Sequence, residues 1–223
     1  MNKKKVIWII GSNATGKTTQ SKLIHKKLNN GDESKLFVDM DLGDGVVKAT
    51  QFKQTAHVGF LRDNQCTGTD TINSKESIDA TFCYLMSLDE VGYIVIDGIM
   101  ATATWIDIFT QFPDLVDVYL ILLQFDDVID NLKRVVERRV YKQIDKGGND
   151  GADIELFEVY VEKGMAELED KTIKNVSGKF TGFKSMYEKV KGRCKEYTQV
   201  DAADSVESIN HFLVDFIQDE LPF

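Results

Sequence analysis

A chain of 223 residues, 43% hydrophobic and 28% charged, can bury one substantial core, and its composition is neither fibrous nor disordered. The net charge of −9 argues against nonspecific nucleic-acid binding. The three cysteines, Cys66, Cys83 and Cys194, are odd in number and form no C-x-x-C pair, which disfavours a disulfide framework or zinc knuckle and fits a reducing cytoplasm.

In chain order, Val6–Ile10 is a continuous apolar run before a glycine, as expected of a central parallel strand. It is too short for a leader core or a membrane span. Lys17–Leu28 places Leu23, Ile24 and Leu28 at helical spacing and stops at Asn29-Asn30-Gly31. Leu36–Val38 opens a second strand that runs into Asp39 and Asp41. From Leu42 to Thr71 no strong period shows, and Gly43, Gly45, Gly59 and Gly68 suggest loops around short elements. Asn73 and Glu76 form a capping-box pattern ahead of a helix to about Leu88. Tyr93–Ile96 is a third strand, ending at Asp97, and Thr102–Phe112 a helix stopped by Pro113. Val116–Leu123 is a fourth strand; Asp126–Tyr141 is a helix rich in basic residues, leading to a flexible tip at Asp145–Asp153. Ile154–Ile173 reads as a further helix, Tyr197–Val200 as a fifth strand and Ser205–Leu221 as a closing amphipathic helix. The alternation predicts one α/β domain over 1–223: a five-stranded parallel sheet flanked by helices, with an insertion at about 42–75 and a lid at about 138–153.

The sharpest motif is "GSNATGKT", Gly11–Thr18, which fits G-x-x-x-x-G-K-[ST] between a buried-type strand and a helix. Gly11 and Gly16 allow close backbone approach to phosphate oxygens. The amides from Ser12, Asn13, Ala14 and Thr15 through Thr18 and Thr19 would point inward at the helix N-terminus. Lys17 supplies charge to the β- and γ-phosphates of ATP, and the Thr18 hydroxyl suits Mg²⁺. Asp97, at the carboxyl end of an apolar strand, is a second candidate for that metal; a strand-terminal turn acid is its competing reading.

No N-K-x-D motif follows, which disfavours a GTPase. Arg134 and Arg138 lie four apart on one face of the basic helix, with Arg139 beside them. This layout, with the loop, resembles the nucleoside-monophosphate-kinase-like group of P-loop kinases. That resemblance implies that Arg134 and Arg138 close over ATP and that Arg138 balances charge on the moving phosphoryl group.

Asp39 and Asp41 share a strand face. If their strand lies near the first, one acid can hold Mg²⁺ and the other, Asp41, can accept a hydroxyl proton. "FVDMD" resembles the F-x-D-x-D stretch of shikimate-kinase-like enzymes, which phosphorylate an alcohol; an exposed turn is the competing reading. The segment "NQCTGTDT", flanked by Arg62 and containing Thr69 and Asp70, offers polar groups to an acceptor. It is similar to phage kinases that phosphorylate 5-hydroxymethyluracil in DNA. That implies DNA as partner, with host cytoplasm as the compartment for a viral protein. A free nucleoside or nucleotide acceptor and a nucleotide-dependent regulatory protein are the alternatives.

Lys171–Lys195 holds eight basic residues against Glu188 alone. Within it, Lys179, Lys184, Tyr187, Lys191 and Arg193 are candidates for following phosphates and stacking on bases. An amphipathic helix with aromatics in the core is the competing reading.

Overall fold

The computed structural model describes residues 3–62, 68–72, 74–98, 114–147 and 156–218. Strand β1 (Lys4–Ile10) is buried from Val6 to Ile10 because both its faces are covered. It lies parallel between β5 (Tyr93–Asp97) and β6 (Val116–Gln124). β7 (Glu196–Asp201) adds parallel to β6, and β4 (Thr55–Val58) parallel to β5. β3 (Val46–Gln51) and β2 (Leu36–Asp41) complete that side, each antiparallel to its neighbour.

The sheet is therefore seven-stranded and mixed, in the order β2-β3-β4-β5-β1-β6-β7, not the expected five-stranded parallel arrangement. The cause lies in the stretch without a period. β4 is a four-residue segment, TAHV, buried at every position, so neither alternation nor length marks it. It takes the place next to β5 that the second predicted strand would have needed. β2 is left at the edge, four positions from β1.

Successive residues of β1 feed two cores. Val6, Trp8 and Ile10 pack with α2 (Lys75–Ser87) and α5 (Asp170–Val190). Ile7 and Ile9 pack with α1 (Lys17–Leu28) and α6 (Val206–Gln218). A small third cluster of Val136, Val140 and Val161 joins α3 (Val128–Gly147) to α4 (Phe157–Ala166). The predicted single helix Ile154–Ile173 is thus two helices, α4 ending at Ala166 and α5 starting at Asp170. The cap of α2 is Ser74, whose hydroxyl accepts from the Ser77 amide at 3.1 Å. The predicted cap Asn73, the predicted helix Thr102–Phe112 and most of the predicted tip lie outside the described residues. Among the described residues no helix is long and apolar enough to cross a membrane.

Candidate active site

The loop Gly11–Thr18 leaves the carboxyl end of β1 and turns into α1. Gly16 and Ala14 take left-handed backbone conformations, with φ of 86° and 63°. At Gly11 a Cβ would lie 2.0 Å from the Leu123 carbonyl oxygen, so only glycine lets the loop pass this close to β6. α3 clamps the loop from outside. The Ser12 hydroxyl donates to Asn131 Oδ1 at 2.5 Å, and Asn131 Nδ2 donates to the Asn13 carbonyl at 2.7 Å. Thr15 Oγ1 donates to the Ser12 carbonyl at 3.1 Å, and Thr19 faces solvent.

Lys17 is buried and curls over the loop, donating to the carbonyls of Gly11 (2.9 Å) and Ser12 (2.7 Å). Burial pushes its amine down to about 8; Asp97 and Asp70 pull the other way, and Lys179 and Arg138 add to the depression. Those named charges are the environment of the loop. Two acids and two further cations, from four separate elements of the chain, act on one ammonium.

Asp97 closes the floor. It ends β5 beside β1 and is 1% exposed. Its Oδ2 accepts from Ser21 Oγ at 3.2 Å, and Thr18 also bonds to the carboxylate. Its Oδ1 lies 3.3 Å from Nε2 of the fully buried His57, a close approach that falls outside hydrogen-bond geometry. His57 Nδ1 lies 3.0 Å from the Val58 carbonyl, so that nitrogen carries the hydrogen. Burial alone would raise the Asp97 carboxyl. The charge and contact of His57, the Thr18 hydrogen bond and the charge of Lys17 together outweigh it and hold the group below the usual carboxylate range.

The segment 68–72 lies across this floor. Thr69 Oγ1 donates to the Asp97 carbonyl at 2.9 Å. A Cβ at Gly68 would come within 1.9 Å of Asp97 Oδ1, and one at Gly98 within 1.7 Å of Thr69 Oγ1. Two glycines thus let Thr69 sit against the strand end, and the adjoining Asp70 remains exposed at the mouth.

On the outer side, Asn13 and Ala14 of the loop and Val135, Arg138, Arg139 and Lys142 of α3 line a cleft of about 310 Å³. Arg139 is tied to α5 through Thr172 Oγ1 at 3.3 Å. Arg134 pairs with Glu137 at 2.9 Å and does not line this cleft, so of Arg134 and Arg138 only Arg138 faces the loop.

Of the predicted residues, the fold brings together the loop, Lys17, Thr18, Asp97, Thr69, Asp70 and Arg138. It does not bring Asp39 and Asp41 beside the loop. Both are exposed on the edge strand, and Asp41 Oδ1 accepts from the Gly43 amide at 2.9 Å in a local turn. The register across the sheet runs Asp39–Lys48–Gly59–Asp97–Ile9. Asp39 and Asp97 therefore share a face and a row, yet stand three strand spacings apart, about 14 Å. Arg62 is exposed, its guanidinium 4.7 Å from the Phe60 ring centre, in the same outlying region.

The basic segment divides. Gln124 Nε2 donates to the Phe180 carbonyl at 3.3 Å, which anchors that turn of α5 at the carboxyl edge and places Lys179 among the loop's charges. Arg193 lies fourteen residues further on, past the helix end, where the Lys195 amide bonds the Val118 carbonyl near the start of β6. A helix path of that length spans roughly 21 Å. Tyr187 is 5% exposed with Phe183 in the core, burial raising its hydroxyl to about 12, so it offers no stacking face. Lys191 pairs with Glu188 at 2.8 Å, and Lys184 is exposed.

Sequence patterns do not single out His57, Ser21 or Asn131. His57 sits in a short run with no period, and Ser21 and Asn131 stand among other polar residues of their helices, so only the fold shows what each faces. Among the described residues no group of three or more His, Cys, Asp or Glu side chains could hold a metal. The oxygen pair of Thr18 and Asp97 suits a hard divalent cation such as Mg²⁺ that takes its remaining ligands from phosphate and water. No protein-family model matches the chain, and no curated protein matches it.

Proposed function

We propose that this chain is an ATP-dependent kinase that transfers the γ-phosphate to a hydroxyl group. One observation carries the reading: the glycine-turned loop Gly11–Thr18 packs a buried lysine against its own carbonyls, with the Thr18–Asp97 oxygen pair beside it.

The residues then have distinct roles. The loop amides and Lys17 bind the β- and γ-phosphates. Arg138 from α3 and Lys179 from α5 balance the charge that spreads over the phosphoryl oxygens during transfer. The cleft between the loop and α3 takes the rest of the nucleotide. Mg²⁺, held through Thr18 and Asp97, supplies neutralisation of phosphate charge when bound. Asp70, at the mouth, takes the role that sequence suggested for Asp41: its carboxylate accepts the proton of the acceptor hydroxyl. The freed oxygen bonds to the γ-phosphorus, the bond from that phosphorus to the bridging oxygen breaks, and ADP leaves. A carboxylate in that position is of use to an alcohol acceptor and of little use to a phosphate acceptor, which is already an anion.

The acceptor placed first is the hydroxymethyl group of 5-hydroxymethyluracil in DNA, which rests on the resemblance of the segment around Thr69 and Asp70. A free nucleoside or nucleotide is the second reading. It is favoured by the burial of Tyr187 and Phe183, which removes the stacking surface expected of α5. Transfer of labelled γ-phosphate from ATP to a panel decides between them: thymine DNA, 5-hydroxymethyluracil DNA, free nucleosides and nucleotides. Label on the modified DNA alone supports the first reading, and label on a free nucleoside or nucleotide the second. ATP binding with no transfer to any member of the panel would remove the kinase assignment in favour of a nucleotide-dependent regulator.

A further inference from the structure

β2 is the edge of the sheet, and among the described residues no strand pairs with its outer side. Edge strands are normally blunted by charge, brevity or a bulge. This one carries the exposed acids Asp39 and Asp41 but also exposes Leu36 (61%), Phe37 (44%) and Met40 (38%) within six residues. Its paired acids are not absorbed by the site around Lys17.

The backbone phase of β2 can be read from its inner side. The Leu42 amide donates to the Gly45 carbonyl at 3.1 Å, closing the hairpin with β3. Hydrogen bonding alternates along an antiparallel pair, so Leu36, Val38 and Met40 turn their N–H and C=O groups toward β3. Phe37, Asp39 and Asp41 turn theirs outward.

We propose that this edge is a self-complementary interface, on which a second copy of the chain pairs β2 with β2 antiparallel about a two-fold axis at Val38. An isologous pairing has to map the strand onto itself. Centred on Val38, it sets Leu36 against Met40 of the other copy and Val38 against Val38, all on one face. On the other face it sets Phe37 against Asp39 and Lys35 against Asp41. The outward-turned residues Phe37 and Asp39 form the hydrogen-bonded pairs, as the backbone phase requires. Shifting the centre to Asp39 would oppose two carboxylates. Shifting it to Phe37 would set Phe37 against Phe37, Leu36 against Val38 and Lys35 against Asp39, but would oppose Glu33 to Asp41 at both ends and Met40 to Ser34. Of the three centres, only Val38 opposes no two carboxylates while setting Lys35 against Asp41, and it leaves Phe37 facing Asp39. Lys35 lies with its ammonium 5.7 Å from the centre of its own Phe37 ring and 3.4 Å from the Leu61 carbonyl, and it exchanges that carbonyl for Asp41 of the other copy on pairing. The inference does not depend on the kinase reading.

The test is the mass of the full chain in solution by sedimentation, over a concentration series, with charge reversal at the interface. A dimer is expected. Lys35→Asp and Asp41→Lys should each weaken it by about tenfold or more, because the lost pair and the new like-charge contact occur twice. Lys35→Asp with Asp41→Lys should restore it. In a background without the three native cysteines, Val38→Cys should form a disulfide dimer on mild oxidation, since directly opposed residues of such a pair bring their Cα atoms within bridging distance. Should Val38→Cys disturb the core, Leu36→Cys with Met40→Cys gives the same crosslink from exposed positions. A monomer throughout the series, single reversals without effect, or crosslinking at Phe37→Cys or Asp39→Cys instead would overturn the proposal.

Discussion

Asp97 turns its two carboxylate oxygens to different partners: Oδ1 lies 3.3 Å from Nε2 of His57, and Oδ2 accepts from Ser21 on the helix that carries Lys17. His57 and Asp97 are 0% and 1% exposed, so this contact is screened by protein alone. The acid that faces the loop is thus held from behind by a histidine on β4, well inside the sheet edge where the other aspartates lie.

Asp97→Ala removes the buried acceptor of the Ser21 and Thr18 hydroxyls and is expected to cost about 3 kcal/mol in urea unfolding at neutral pH. The folded Asp97 carboxyl lies below its ordinary value of 3.8. Its contribution is therefore fully present above pH 3.8 and is lost as pH falls through the lower folded value. Acid unfolding of Asp97→Asn should accordingly be less steep in that window than that of the unmodified chain.

Lys17 has the opposite sign. Its folded amine is held at about 8 against 10.5, so the charged form opposes folding below pH 8, and that opposition fades as pH rises from about 8 to 10.5. Lys17→Met should gain roughly 1 to 2 kcal/mol at pH 7, less than desolvation alone implies because two hydrogen bonds go with it. The gain should shrink by about pH 10. In the same variant, phosphate transfer should fall by on the order of 10³-fold or more with the far-ultraviolet circular dichroism unchanged.

The acceptor-side acid can be located by comparing three amides. Asp70→Asn is expected to slow transfer by about 10²-fold or more while leaving ATP affinity near its original value. Asp39→Asn and Asp41→Asn should leave the rate within about twofold, since both stand about 14 Å or more across the sheet from Asp97. A larger loss at Asp41 than at Asp70 in single-turnover rates would return the role to the edge strand.

Glycines in this fold divide into two kinds, and thermal melts should separate them. Gly68→Ala would drive a Cβ to 1.9 Å from Asp97 Oδ1 and is expected to cost about 2 kcal/mol or more, with loss of transfer. Gly178 and Gly182, inside α5, have no atom within 4 Å of a built Cβ. Alanine at either should raise stability by about 0.5 to 1 kcal/mol.

The loop Gly11–Thr18 is legible in the sequence because its determinants are contiguous. Two glycines, a lysine and a threonine at set spacing dictate local backbone freedom and a helix start. The helices over Lys17–Leu28 and Lys75–Ser87 are legible from apolar spacing and polar flanks, although the cap of the second is Ser74 and not the predicted Asn73. That Asp39 and Asp41 face the same way also follows from a strand's period of two.

Which strand lies beside β5 and β1 is a different kind of question. Parallel neighbours are chosen by burial between distant segments, and a four-residue strand such as β4 leaves no local period to read. That one choice carries β2 to the edge, takes Asp39 and Asp41 away from Lys17, and puts His57 behind Asp97. The same holds for α5, whose sequence fits both a basic nucleic-acid stripe and an amphipathic core helix. Packing turns Tyr187 inward and brings Lys179 to the loop. Sequence determines the chemistry that can be present; the order of strands decides which of those groups meet.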